Sequence, residues 1–145
     1  MFTRFLIPFD GSPSGAEAVR KGAALAVLCG AEVLILTVFH HHSLLEASLS
    51  AQRPGESGNV DDVMRDHARE VAEAGRALAH EAGVSGARAF VKGGQPARSI
   101  IAFAREHGVD LIVIGSRGLG SIESFLLGSV SHKVTGLADC PVLVV

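Results

Sequence analysis

Asp110-Leu-Ile-Val-Ile-Gly115-Ser-Arg-Gly118-Leu-Gly120 is the stretch that decides how this chain folds. Leu111 to Ile114 is an unbroken apolar run, which reads as a short strand buried on both faces. The strand empties into glycines. Ser121 to Leu127 follows, and Gly128-Ser129 opens a helix that continues through Val134. Glycines let a backbone approach an oxyanion, and the free N–H groups of a helix start can donate to it. Gly115, Gly118 and the turn Gly128, Ser129, Val130 and Ser131 therefore form a candidate phosphate cradle, with two hydroxyls as extra donors. No Gly-Lys-Ser/Thr follows, so this is not a P-loop of the Walker type. Nor is it the dinucleotide fingerprint, which belongs in the first strand-to-helix turn. That turn reads Gly11-Ser-Pro-Ser-Gly15 here. A well-made loop with a helix cap remains the plain alternative.

The flanking sequence repeats the same alternation. Upstream, Ala87 to Val91 is a weaker strand, and Gly93-Gly94-Gln95-Pro96 turns into a helix with Ile100, Ile101 and Ala104 inward and Gly108 as its stop. At the front, Phe5 to Phe9 is an apolar run that ends at the turn Asp10-Gly11-Ser12. Ser12 suits an N-cap with Pro13 first in the helix, while Ser14 to Glu17 offers a competing capping box. The helix places Ala16, Val19, Ala23 and Val27 on one stripe and stops at Gly30. Glu32 to Val38 is a continuous apolar strand. A polar stretch from about His40 to Gly58 follows, in which Leu44, Leu45 and Leu49 could make one helical turn. Asn59, Asp61 and Asp62 mark a helix start, because acids suit the positive end of the dipole. That helix carries Val60, Met64, Val71, Leu78 and Ala82 near one face and ends at Gly83. Downstream of the glycine loop come a helix from Ser129 to about Leu137 and a strand from Pro141 to Val145.

The order is thus strand and helix in strict alternation, beginning and ending on a strand. Such a chain is α/β, with right-handed crossovers and helices on both faces of a five-stranded, mostly parallel, open, Rossmann-like sheet. The 145 residues are expected to form one domain, 1–145. Apolar residues make up 48% and charged ones 19%, which argues for a folded core. A net charge of −2 and no Lys/Arg block give no nucleic-acid-binding surface. No apolar run reaches the about 18 residues of a membrane span, and nothing at the N-terminus reads as a signal peptide, so a cytoplasmic protein is expected. Cys29 and Cys140 form no CxxC pair and read as small hydrophobes in a reducing compartment. Strand order cannot be read from the pattern. An order of 3-2-1-4-5 would bring Asp10-Gly11-Ser12 and the Gly115 loop together where the winding reverses, which is where such sheets bind ligands.

These residues resemble the universal stress protein family in its nucleotide-binding branch. The likeness covers Ile7-Pro-Phe-Asp10-Gly-Ser12, Ala104 to Gly118, the Gly-x2-Gly-x9-Gly-Ser spacing from Gly115 to Ser129, and the closing Ala138-Asp-Cys-Pro-Val-Leu-Val-Val145. The resemblance implies the strand order 3-2-1-4-5 and a bound ATP, optionally with Mg²⁺. By that likeness, Pro8, Phe9 and Asp10 line one side of the adenine and Val38 the other, with Asp10 near base and ribose. The phosphates then lie along Gly115, Arg117, Gly118, Gly128, Ser129, Val130 and Ser131. Arg117 either pairs with a phosphate or points to solvent. Asp10 can also cap its turn, and the two roles are compatible.

The remaining candidates weigh toward plain readings. His40, His41 and His42 read as a solvated loop beside the pocket mouth, since neighbours on a strand point to opposite faces and no ligand set stands near. His132 reads as a surface or packed histidine before a phosphate contact. Ile122, Phe125 and Leu126 read as anchors of the loop before a lid. The Val-rich final strand offers an apolar edge, and the family resemblance implies a homodimer through Val142 to Val145. The expected function is a regulatory, ATP-binding stress-response module with no catalytic residue and no metal ligand of its own. Its regulatory partner is unspecified. The alternative is a slow ATPase or nucleotidyl-transfer enzyme in the same pocket, using Asp10, Glu123 or His132. A partner-binding protein built on the 40–58 stretch is a further alternative. Retention of every glycine of the motif argues against a degenerate pocket.

Overall fold

The computed structural model describes residues 1–40, 60–118 and 127–145. The turn expected at Leu44 to Leu49, the helix start at Asn59 and the anchors Ile122, Phe125 and Leu126 lie outside these residues. The described elements run β1 (Arg4–Pro8), α1 (Pro13–Cys29), β2 (Glu32–Phe39), α2 (Val60–Glu81), β3 (Arg88–Gly93), α3 (Pro96–Glu106), β4 (Leu111–Ile114), α4 (Ser129–Leu137) and β5 (Val142–Val144). All strand pairs are parallel, and the order is β3-β2-β1-β4-β5. The expected architecture is therefore present, with boundaries shifted by one or two residues. β3 starts one residue later than expected and runs on to Gly93.

Buried central strands explain the unbroken apolar runs. Phe5 and Ile7 of β1, Val33 and Ile35 of β2, and Leu111 and Val113 of β4 face α1 and α2. Leu6, Leu34, Leu36, Ile112 and Ile114 face α3 and α4 on the other side. Each strand thus feeds two cores by simple alternation. At roughly 1.5–3 kcal/mol for each fully buried aliphatic or Phe side chain, these positions dominate the folding free energy.

α1 starts as its sequence dictates. The Ser12 side chain accepts from the Gly15 N–H at 3.0 Å, and Pro13 follows it. Its buried stripe is Gly15, Ala18, Val19, Gly22, Ala23 and Ala26. The expected stripe was one position out of phase at its end, since Val27 is 51% exposed. Small residues line this stripe because α1 lies close on the sheet. A Cβ on Gly22 would stand 2.7 Å from Ile7 Cδ1. Gly30 adopts φ 66°, and its N–H reaches back to Ala26 and Val27 carbonyls, closing the helix as a left-handed cap. α2 likewise buries Ala68, Ala72, Gly75 and Ala79, with Val71, Leu78 and Ala82 partly covered beside them. On α3 the inward positions Ile100, Ile101 and Ala104 are joined by Ala97 and Phe103. Gln95 caps this helix, accepting from the Arg98 N–H at 2.8 Å.

The cysteines are free and half-buried. Burial pushes the Cys140 thiol up, and the carboxylates of Asp110 and Asp139 add to the effect. Among the described residues no helix is long and apolar enough to cross a membrane.

Candidate functional site

β1 and β4 run side by side, Phe5 beside Leu111 and Leu6 beside Ile112. From β1 the chain leaves to α1 on one face, and from β4 it continues to α4 on the other. Opposite departures part the two loops at the carboxyl ends of these strands, and a crevice opens between them. Its volume is about 680 Å³, within the range of about 300–1,000 Å³ usual for small-molecule sites.

Every candidate binding residue borders this crevice. Pro8, Phe9 and Asp10 follow β1, and Val38 stands on β2. Gly115, Arg117 and Gly118 follow β4, and Gly128, Ser129, Val130 and Ser131 make the start of α4. Leu36, Pro96, Ile100 and Ile114 form an apolar floor that the sequence did not single out for this role. Leu36 was accessible to reasoning, because it lies two residues before Val38 and shares its face. Ser12, Gly15, His40 and Leu127 complete the lining.

Phe9 borders the crevice and is also a core residue. Its ring belongs to the core between the sheet and the α1–α2 layer. Cβ atoms on Gly15 and Gly75 would lie 3.1 Å and 2.7 Å from it. Its backbone ties β1 to β2: the Phe9 N–H donates to the Leu36 carbonyl at 2.9 Å, and the Phe9 carbonyl accepts from the buried Thr37 hydroxyl at 2.8 Å. These bonds fix the strand end from which Asp10 projects. Asp10 Oδ1 accepts from the Ser12 N–H at 2.9 Å, which is the turn-capping role. Its Oδ2 is turned to the other loop, 3.1 Å from where a Gly118 Cβ would be. The two loops expected to meet do meet, through this carboxylate.

Gly115 owes its identity to packing. A Cβ there would collide with the backbone of Ser14 at 2.8 Å, so α1 and the end of β4 need a residue without a side chain. The next residues are held by the same helix start, since the Arg117 N–H donates to Ser14 Oγ at 3.2 Å. The Arg117 side chain is exposed at the crevice and forms no ion pair among the described residues.

The start of α4 is the wall of the crevice with open backbone donors. Gly128 is a non-helical cap at φ −62° and ψ 160°, with no side chain to satisfy the first turn. Its own N–H donates to the Ser116 carbonyl at 2.7 Å, and its carbonyl accepts from the His132 N–H at 2.9 Å. The N–H groups of Ser129, Val130 and Ser131 find no acceptor among the described residues. A helix start leaves such donors unpaired and carries about half a positive charge, so it favours an anion. The Ser131 hydroxyl is engaged elsewhere, donating to the Ser116 and Gly128 carbonyls. It shapes the turn, so it is not the spare donor that its position suggested.

His132 is exposed on α4 and does not border the crevice. His40 does border it, whereas His41, His42 and Glu123 lie outside the described residues. Among the described residues no group of His, Cys, Asp and Glu is arranged to hold a metal ion. Among the described residues Asp10 is the one carboxylate that borders the crevice, so a divalent cation would draw on its oxygen there and otherwise on its ligand and water.

Comparison with known proteins extends over the whole chain. The family model for the universal stress protein family matches residues 1–145. The universal stress protein YxiE of Bacillus subtilis (strain 168) is 36% identical over 148 residues, covering 100% of this chain and 99% of that protein. Universal stress protein UspA from Lactobacillus plantarum has a similar fold, with a TM-score of 0.82 at 22% identity, covering 99% and 97% of the two chains. A universal stress protein solved in complex with cAMP is similar at a TM-score of 0.71 and 24% identity, covering 99% and 96%.

Proposed function

The chain belongs to the universal stress protein family, and from that premise we propose that it is a nucleotide-sensing module that holds ATP in the β1–β4 crevice. The carrying observation is the bare first turn of α4. Its three N–H donors border a crevice that Pro8, Leu36, Val38 and Ile100 also line. Apolar lining together with unpaired donors suits an adenine and its phosphates. The cAMP complex of a similar fold is consistent with that class of ligand, although its 24% identity carries the fold alone. Mg²⁺ would accompany the phosphates, with Asp10 Oδ2 as the protein oxygen in reach of the same crevice.

Binding is favoured over turnover. The crevice lining among the described residues contains no lysine, and its one carboxylate already accepts from Ser12. The family supports a stress-response role, and the edge position of β5, with Leu143 39% exposed, supports a homodimer through that strand.

Two measurements test this reading. Protein stripped of small molecules is titrated with ATP by calorimetry, and the material released on denaturing fresh protein is identified by mass. Binding that disappears in Gly118→Val and Gly128→Val is expected. No heat with any adenine nucleotide, or equal heat in both variants, overturns it. For the dimer, Leu143→Asp should convert the protein to monomers in light scattering, and a wild type that is itself monomeric would end that part of the proposal.

A further inference from the structure

We infer that the crevice discriminates among adenine nucleotides by phosphate charge: it takes a nucleotide with a single phosphate group unaided, and accepts a triphosphate only when a divalent cation neutralises it. The inference rests on the nucleotide-binding reading above.

The reasoning begins with the charges that the chain can bring to the phosphates. Arg117 is the one Arg or Lys that borders the crevice among the described residues. Asp10 stands on the same loop junction, with Oδ2 turned toward Gly118 and without a donor among the described residues. By sequence, 119–126 holds Glu123 and no Lys or Arg. The stretch 41–59 carries Arg53 against Glu46 and Glu56. Among the described residues Arg117 is therefore the one cationic side chain at the crevice and Asp10 the one carboxylate. The remaining attraction comes from the open N–H groups of α4, equivalent to about half a charge.

A phosphate monoester carries about −1.5 to −2 at neutral pH. A triphosphate carries roughly twice that. One guanidinium and one helix start match the smaller charge. The larger one would bring its excess into the crevice that the Asp10 carboxylate borders, where like charges repel. A P-loop avoids this with its lysine, which this loop lacks. A divalent cation shared between phosphate oxygens and Asp10 Oδ2 would turn the repulsion into attraction. The same carboxylate thus sets both the penalty and its relief.

The test uses stripped full-length protein and calorimetric titrations with AMP, cAMP and ATP at fixed ionic strength, each with EDTA and with Mg²⁺. AMP or cAMP should bind equally with and without metal. ATP should weaken by at least about tenfold in EDTA. Asp10→Asn should shrink that metal effect by improving metal-free ATP, and its melting temperature checks that the fold persists. Should Asp10→Asn unfold, ATP titrations of the wild type at low and high salt in EDTA replace it, with tighter binding at high salt expected from screened repulsion. Metal-free ATP binding as tightly as AMP overturns the inference and leaves nucleotide binding standing. Failure of all three ligands removes the nucleotide reading itself.

Discussion

Gly115 lies against the backbone of Ser14: a Cβ on Gly115 would stand 2.8 Å from both the carbonyl carbon and the carbonyl oxygen of Ser14. A Cβ on Gly118, three residues on, would meet among the described residues the far end of the Asp10 side chain, at 3.1 Å. The two glycines of one motif should therefore fail in different ways. Gly115→Ala is expected to lower stability by about 1–3 kcal/mol, because backbone must move. Gly118→Ala should stay within about 0.5 kcal/mol of wild type, because a carboxylate can rotate away. Urea unfolding of both variants separates them, and equal losses would contradict this assignment. Nucleotide affinity should drop in both.

Thr37 is a buried residue outside the crevice whose hydroxyl holds the Phe9 carbonyl. Thr37→Val keeps the shape and removes that donor, so a buried carbonyl loses its partner at a cost of about 1–3 kcal/mol. Thr37→Ser should recover most of the loss. A Val variant as stable as wild type would show that the bond contributes nothing.

Gly75 sets two known effects against each other. Alanine is preferred within a helix by about 1 kcal/mol. A Cβ there would lie 2.7 Å from the Phe9 ring and 2.9 Å from Ile35 Cγ2. A Cβ on Gly15 would lie 3.1 Å from the other edge of the ring, so the ring has little room to yield. Overpacking at about 1–3 kcal/mol should win. Gly75→Ala is expected to melt at lower temperature and to disturb the Asp10 turn that follows Phe9, visible as weaker nucleotide binding. A raised melting temperature would reverse the conclusion.

Asp110 clamps the start of β1. It accepts from the Thr3 N–H at 2.8 Å, the Thr3 hydroxyl at 3.0 Å and the Arg4 N–H at 2.9 Å. Burial alone would raise its pKa, but the donors of Arg4 and Thr3 more than offset this and hold the carboxyl below its ordinary value. A carboxylate lowered on folding contributes stability above its unfolded pKa, and that contribution is lost as pH falls through the folded pKa. Asp110→Asn should therefore flatten the acid limb of the stability curve below the ordinary carboxylate range, with a smaller stability at neutral pH. Parallel acid limbs in variant and wild type would rule this out.

The sequence carried the alternation of elements because central parallel strands are apolar without interruption, and Glu32 to Val38 could be little else. It carried both loop ends of the crevice as well, since Asp10-Gly11-Ser12 and the glycine spacing are local chemistry. The order of strands came from family likeness, because no local pattern encodes which strand lies next to β1. Side-chain direction at element ends was the weak point. Phe9 follows Pro8 at a strand end, and only the tertiary fold shows that its ring enters the α1–α2 core. The packing role of Gly115 had no local signal, because its collision partner, Ser14, is about a hundred residues away and on another element. The small-residue faces of α1 and α2 were blurred for a related reason. Gly22 and Gly75 carry no hydrophobic signal, yet they set how closely those helices approach the sheet.

The order β3-β2-β1-β4-β5 has a topological result. A single cut anywhere between Phe39 and Val60 would divide the chain into a piece holding β1 and β2 and a piece holding β3, β4 and β5. In the sheet the first piece is wedged between two parts of the second. It pairs with β3 from Leu34 beside Arg88 to Phe39 beside Gly93, and with β4 at Phe5 and Leu6. Neither piece can leave without unzipping two seams, so the fragments are keyed together like a tenon in a mortise. The crevice straddles that joint, with Asp10 from one fragment and the α4 start from the other, which makes ligand binding a natural reporter for reassembly of a split protein.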